Sequence, residues 1–233
     1  DHWLGIEPVN GRDVLSRVLY GSRISLLIAT AASLLSLVIG IALGVIAGYF
    51  RGWVDALISR IMDVFLAFPL LLFALALAAI VPDTFFGMTG DTLRIAMLVF
   101  IIGFFSWPYA GRIVRGQTIA LREREFVDAA RVRGAKPRRI IVRELMPNLV
   151  APILVYGTLL IPANILFEAA LSFLGVGIRP PTPSWGKMLN DAIQYYRVDP
   201  AYLVIPGAAI FITVLAFNLF GDGLRDAFDP KAH

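Results

Sequence analysis

Five long stretches without a charged residue constrain this chain more than any other feature: 24–50, 64–82, 95–111, 145–167 and 200–221, each 17 to 27 residues long. A helix rises 1.5 Å per residue, so about 20 mainly apolar residues cross the ~30 Å hydrocarbon layer of a bilayer. The five stretches take up nearly half of a 233-residue chain that is 58% hydrophobic and 16% charged, with mean hydropathy +0.75. A water-soluble domain carries about 25% charged residues. The sequence therefore predicts an all-α, polytopic membrane helical bundle. Its spans fall near 24–50, 61–82, 95–115, 148–175 and 200–221, within a transmembrane domain covering 24–221.

The same counts exclude several classes. There is no cysteine, so a disulfide framework, an iron–sulfur cluster and a thiolate zinc site are ruled out. The two histidines, His2 and His233, stand at opposite ends of the chain, and no metal site is expected. The net charge of +4 does not point to nucleic acid, because the basic residues concentrate in one loop between spans, as positive-inside bias requires. The stretch at 24–50 is too long and lies too deep in the chain for a cleaved signal peptide.

That loop sets the orientation. Ten of the 21 Lys and Arg residues fall in 112–143, which places it in the cytoplasm. Alternation then leaves residues 1–23 as an external segment and 222–233 as a cytoplasmic tail. An external N-terminus without an export signal suggests one further span upstream of Asp1.

Within the loop, 122–133 has the period of an amphipathic helix, with Phe126, Ala129 and Ala130 on one face. Gly134 stands where a helix C′ residue takes left-handed geometry, and Pro137 suits the first turn of a second helix. A helix–glycine–helix of this length exceeds what a connector needs. By pattern alone it is either a basic helix lying on anionic lipid or a knob presenting small residues to a protein groove.

Other polar and small residues carry two readings each. Gly40, Gly44 and Gly48 form a small-xxx-small ridge suited to close helix packing in lipid. Glu168 is an acid flanked by apolar sequence, either lining a substrate path or bonded structurally to a neighbouring helix. Asn164 and Asn218 are intramembrane polar residues suited to interhelical hydrogen bonds. Asp63, close to Arg60, is expected as an interfacial charge. Pro69, Pro108, Pro152, Pro162 and Pro206 mark kinks. In the external loop, the tyrosines, Tyr202 above all, suit an aromatic belt at the headgroup level.

The spacing Asp128-Ala129-Ala130, then Gly134, then Pro147 resembles the EAA loop of ABC-importer permeases, EAA-x3-G-x9-I-x-L-P. Further segments resemble the second, C-type subunit of the dipeptide, oligopeptide and nickel permeases: Trp3-Leu4-Gly5 with 11–17, Ala170 to Gly175, Pro180 to Gly186, and Ala216 to Asp226. Three features depart from the pattern. Asp128 replaces Glu, Glu144 and Met146 replace Ile and Leu, and Lys136 stands where a Ser or Asn cap is usual.

The resemblance implies a type I ABC-importer permease fold and a transport subunit rather than an enzyme. The loop at 116–147 would be a coupling helix seated on a cytoplasmic ATPase, through Phe126, Asp128, Ala129, Ala130, Arg131, Gly134 and Pro147. Implied partners are a homologous second permease, two ATPase subunits that use ATP and Mg, an extracytoplasmic substrate-binding protein, and the lipid bilayer. The chain has no G-x4-G-K-[ST] phosphate loop, so no cofactor is expected on it. Glu168 and Asn164 become candidates for the translocation path. Short peptides are the implied substrate, with nickel chelates or other small solutes as the alternative. The implied site is the cytoplasmic (inner) membrane of a bacterium or archaeon. An ion-gradient-driven secondary transporter is the rival class; it would need a relay of intramembrane charges, and only Glu168 qualifies.

Overall fold

The structure is a computed structural model that describes residues 2–8, 10–80, 84–85 and 87–228. Residues 81–82 of the expected second span and 229–233 of the tail lie outside the described residues. In chain order the helices are α1 (Val14–Phe50), α2 (Gly52–Ala67), α3 (Leu70–Ile80), α4 (Gly90–Arg122), α5 (Glu125–Val132), α6 (Pro137–Arg139), a π-helical turn (Ile140–Leu145), α7 (Met146–Phe173), α8 (Trp185–Ala192) and α9 (Pro200–Ala227). A two-stranded hairpin, β1 (Thr84–Phe85) with β2 (Met88–Thr89), joins α3 to α4.

Helices α1 and α4 run parallel and make the most extensive contact in the bundle. Glycine determines how close they come. A Cβ on Gly40 would sit 2.6 Å from Ala110 Cβ, one on Gly44 2.7 Å from the Gly111 carbonyl, and one on Gly48 2.7 Å from Thr118 Cβ. Gly103 of α4 returns the relationship, with 2.7 Å from its added Cβ to the Ala32 carbonyl. The glycine ridge thus packs inside this chain. In lipid, where apolar area gives helices little reason to associate, such backbone approach supplies the van der Waals contact.

The apolar stretch expected as a span near 61–82 is bent at Pro69, where a kink is expected. Helices α2 and α3 meet at 73°. The cause is local: Pro69 disfavours helical geometry in the residue before it, and Phe68 is extended, at φ −76° and ψ 129°. At the other end of α2, the link from α1 is tight. Arg51 takes φ 57° and ψ −164°, a region otherwise used by glycine, and its side chain bonds Glu123 at 2.9 Å.

At the end of the bundle that carries the N-terminal segment, α8 folds back against α1 and α7. Ser184 caps it by accepting from the Lys187 N–H, and Trp185 donates from Nε1 to the Val18 carbonyl at 3.0 Å. No side chain would fit at Gly186, whose Cβ would collide with the Ala169 carbonyl. The expectation of a headgroup-level Tyr202 is corrected here. Tyr202 is buried and its hydroxyl donates to Glu7 at 3.3 Å, because the N-terminal segment covers it. Around that contact Arg17 of α1 bonds Glu7 at 2.7 Å and reaches Asp191 of α8 at 3.7 Å, so that the N-terminal segment, α1, α8 and α9 meet at one charged cluster.

Candidate functional site

The basic loop between α4 and α7 is built from the core outward. Val127 and Ala130 of α5 are buried in a cluster with Val45, Val114, Ile140, Leu145 and Leu149, and Phe126 packs at its edge. Helix α5 ends in a complete Schellman motif. Gly134 has φ 75°, its N–H bonds the Arg131 carbonyl at 2.8 Å, and the Ala135 N–H bonds the Ala130 carbonyl at 3.1 Å. Pro137 then opens the return helix at its first turn.

The π turn that follows has a reason in Pro147. Proline lacks the N–H for an α-type bond and its ring crowds the carbonyl four residues earlier. The wider turn avoids the clash, with the Met146 N–H reaching back five residues to Ile141.

The face of α5 differs from the one the sequence pattern indicates. Phe126, Val127 and Ala130 point into the chain's own core, whereas Asp128 and Ala129 are exposed. Asp128 pairs with Arg131 one turn on, at 2.7 Å. The outermost apolar side chain of the loop is Val132, 89% exposed, which the sequence pattern did not single out. Ala130, expected in a partner's groove, is instead a core residue. A hydrophobic residue one position beyond the buried face, next to a glycine C-cap, is the signal that would have found Val132.

Beside this knob lies a depression of about 500 Å³ lined by Ala130, Arg133, Gly134, Ala135, Lys136, Arg139 and Glu144. Glu144, out of place in the sequence motif, is thus the acid in a basic pocket. Helix α4, which leads into the loop, is tied to α2 and α1 by its arginines. Arg115 holds Asp55 through Nε at 2.5 Å and Nη2 at 2.7 Å, and Arg122 donates to the Tyr49 carbonyl. Asp63, expected near Arg60, pairs with Arg112 at 2.6 Å.

Glu168 and Asn164 lie inside the chain's own bundle and face no open surface. Glu168 Oε1 accepts from Ser172 at 2.6 Å, and the hydroxyls of Ser25 and Ser184 flank it, although Oε2 has no bond of normal geometry. Asn164 donates to Ser33 of α1 at 2.8 Å. Burial of this kind joins α7 to α1 and α8. Neither residue is brought to the basic loop.

This bundle has the fold of a type I ABC-importer permease. A chain of the MetNI methionine ABC transporter in an inward-facing conformation superposes with a TM-score of 0.71 at 18% identity, over 91% of this chain and 96% of that one. An amino acid ABC transporter gives 0.65 at 16% identity, over 92% and 95%. Residues 40–233 match the family described as binding-protein-dependent transport system inner membrane component, and the chain belongs to that family. The dipeptide transport system permease protein DppC of Alkalihalophilus pseudofirmus is 45% identical over 99% of this chain and 72% of that protein. The glutathione transport system permease protein GsiD of Pectobacterium atrosepticum is 44% identical over 99% and 73%. The chain is a transport component, not an enzyme.

Proposed function

We propose that this chain is the C-type permease subunit of an ATP-driven importer of short peptides in a bacterial inner membrane. It pairs with a homologous permease, two cytoplasmic ATPase subunits and an extracytoplasmic binding protein. Those ATPases, with ATP and Mg, supply the energy. The observation that carries this reading is the cytoplasmic loop. Its inner face, Val127 and Ala130, is fixed in the bundle core, while Ala129, Val132 and the Asp128–Arg131 pair project outward.

A projecting element rooted in the bundle transmits force in a way that a lipid-resting helix does not. Closure of the ATPases displaces the loop, the π turn passes the displacement into α7, and the two permeases rock between outward and inward openings. The chain changes no bond in what it carries. Short peptides are favoured over other solutes because the relatives above are named for dipeptide and glutathione transport.

Co-expression with the neighbouring transporter genes and purification through a tag on this chain tests the reading. The expected result is a complex containing an ATPase with a phosphate-binding loop, which after reconstitution takes up a labelled dipeptide or glutathione only with ATP. Uptake driven by a proton or sodium gradient without an ATPase would overturn it.

A further inference from the structure

The last residue of α4 holds the end of α1. The final carbonyls of a helix have no partner within it. In α1 the Ala47 carbonyl accepts from the Arg51 N–H, and the Tyr49 carbonyl accepts from Nη1 of Arg122, the residue that closes α4. The guanidinium carbon also stands 5.7 Å from the centre of the Tyr49 ring. A cation suits this place, because the C-terminus of a helix carries negative partial charge. Nε of Arg122 is buried and has no hydrogen-bond partner among the described residues, so the side chain gives up one donor to keep its fork on Tyr49.

The link beyond α1 is strained. Arg51, at φ 57°, is the one non-glycine residue with a left-handed φ among the described residues, and Gly52 follows at φ 58°. Such a backbone persists only where its surroundings over-determine it. Two neighbours in sequence do so here: Arg122 through Tyr49, and Glu123 through Arg51 at 2.9 Å. The Arg51–Glu123 pair is about half exposed, at 47% and 58%, and exposed pairs hold weakly. Arg122 is the firmer tie. Only Glu123 and Arg124 separate it from α5, and Tyr49 packs against the cluster that buries Val127 and Ala130 of α5. The loop and the α1–α2 link therefore meet at one guanidinium and share one core.

We propose that Arg122 is a positioning residue that carries the movement of the basic loop into the α1–α2 link, as a second route beside the π turn into α7. The inference rests on the reading of the loop as the contact with the ATPases; Arg122 itself touches neither nucleotide nor cargo. Without the tie, α5 would swing on residues 123–124 and leave α1 behind. With it, the end of α1 moves with the loop, and α2 follows, because Arg115 of α4 grips Asp55 in the first turn of α2.

The test uses the assembled transporter, reconstituted with its binding protein. Arg122→Met keeps the reach of the side chain and removes its charge and donors; Arg122→Lys keeps a charge and a donor. The quantity read is ATP hydrolysed per labelled dipeptide taken up. The Met variant is expected to raise it about fivefold or more, and the Lys variant to recover at least about half of that loss. Glu123→Gln should stay near wild type. If Arg122 only stabilised the end of α1, less complex would be recovered but each complex would use ATP as wild type does, and that result would overturn the proposal. A second measurement does not depend on the folding of the Met variant. The chain has no cysteine, so spin labels can be placed on Leu57→Cys of α2 and Arg124→Cys, both at exposed positions, with partner cysteines removed. In the otherwise unaltered chain their separation is expected to stay the same when vanadate traps the ATPases closed. A change in that separation would also overturn the proposal, since the loop would then move without α2. An unchanged ATP ratio in an ATP-driven complex counts against this role of Arg122 alone, whereas uptake without any ATPase would overturn the importer reading and this inference with it.

Discussion

The Glu168 carboxylate accepts a hydrogen bond from the Ser172 hydroxyl at 2.6 Å, one turn further along α7, and the two residues are sealed from solvent by α1 and α8. Close by, a Cβ on Gly177 would collide with Ser172 Oγ, and Trp185 donates its backbone N–H to Ser25 at 3.3 Å. The acid is the centre of a joint between the outer ends of three helices. Glu168→Gln keeps an acceptor for Ser172, so uptake near wild type is expected. Glu168→Leu strands the serines, and leaving a buried donor without a partner costs about 1–3 kcal/mol. Purified yield and the melting temperature of the complex should fall with Leu and not with Gln; selective loss of uptake in the Gln variant would return Glu168 to the transport path.

Gly44→Leu should prevent α1 and α4 from meeting, because even its Cβ would lie 2.7 Å from the Gly111 carbonyl. Overpacking a fitted contact costs typically about 1–3 kcal/mol, and backbone cannot yield as a side chain can. The expected readout is poor accumulation of folded protein in detergent, with Gly116→Ala, on an open face, as the neutral control.

Arg115→Lys should weaken the hold of α4 on α2. Its guanidinium engages both oxygens of Asp55, a geometry that a single ammonium does not reproduce. A loss of about 1–2 kcal/mol is expected from the one charged bond removed. Hydrogen exchange of the α2 amides, faster in the variant than in wild type, would report it.

Two substitutions on α5 separate folding from coupling. Ala130→Trp inserts a large ring among Val45, Leu145 and Leu149 and should destabilise the loop itself. Val132→Asp changes an exposed side chain and should leave the fold intact while ATP-dependent uptake falls. Just past the helix, Gly134→Val forces a β-branched residue to φ 75° and should lower uptake likewise, by straightening the turn. Circular dichroism and uptake, measured on all three, should divide the first from the other two.

The legible and illegible parts of this sequence divide along physical lines. Uncharged length shows where helices α1, α4, α7 and α9 run, because crossing hydrocarbon leaves no other use for such stretches. Gly134 and Pro137 carry their backbone geometry in their identity, so the helix–turn–helix of the loop is visible from residue types alone. The elbow at Phe68 is less so, since a proline in an apolar run reads equally as a kink or a break. Burial is least visible. Ala129 and Ala130 are identical in sequence yet face opposite ways, and Tyr202 resembles an interfacial tyrosine until the distant Glu7 folds over it. Asp63 finds Arg112 forty-nine positions away, not Arg60 three away.

The central claim is that the tip of the cytoplasmic loop touches the motor. A photo-activated benzoylphenylalanine in place of Val132, in the assembled transporter, tests it most directly. The expected product is a covalent adduct, identified by mass spectrometry, between this chain and an ATPase peptide. The same probe in place of Phe211, on the apolar face of α9, should give no such adduct. Adducts at Val132 to lipid alone, with the ATPase present in the complex, would contradict the claim.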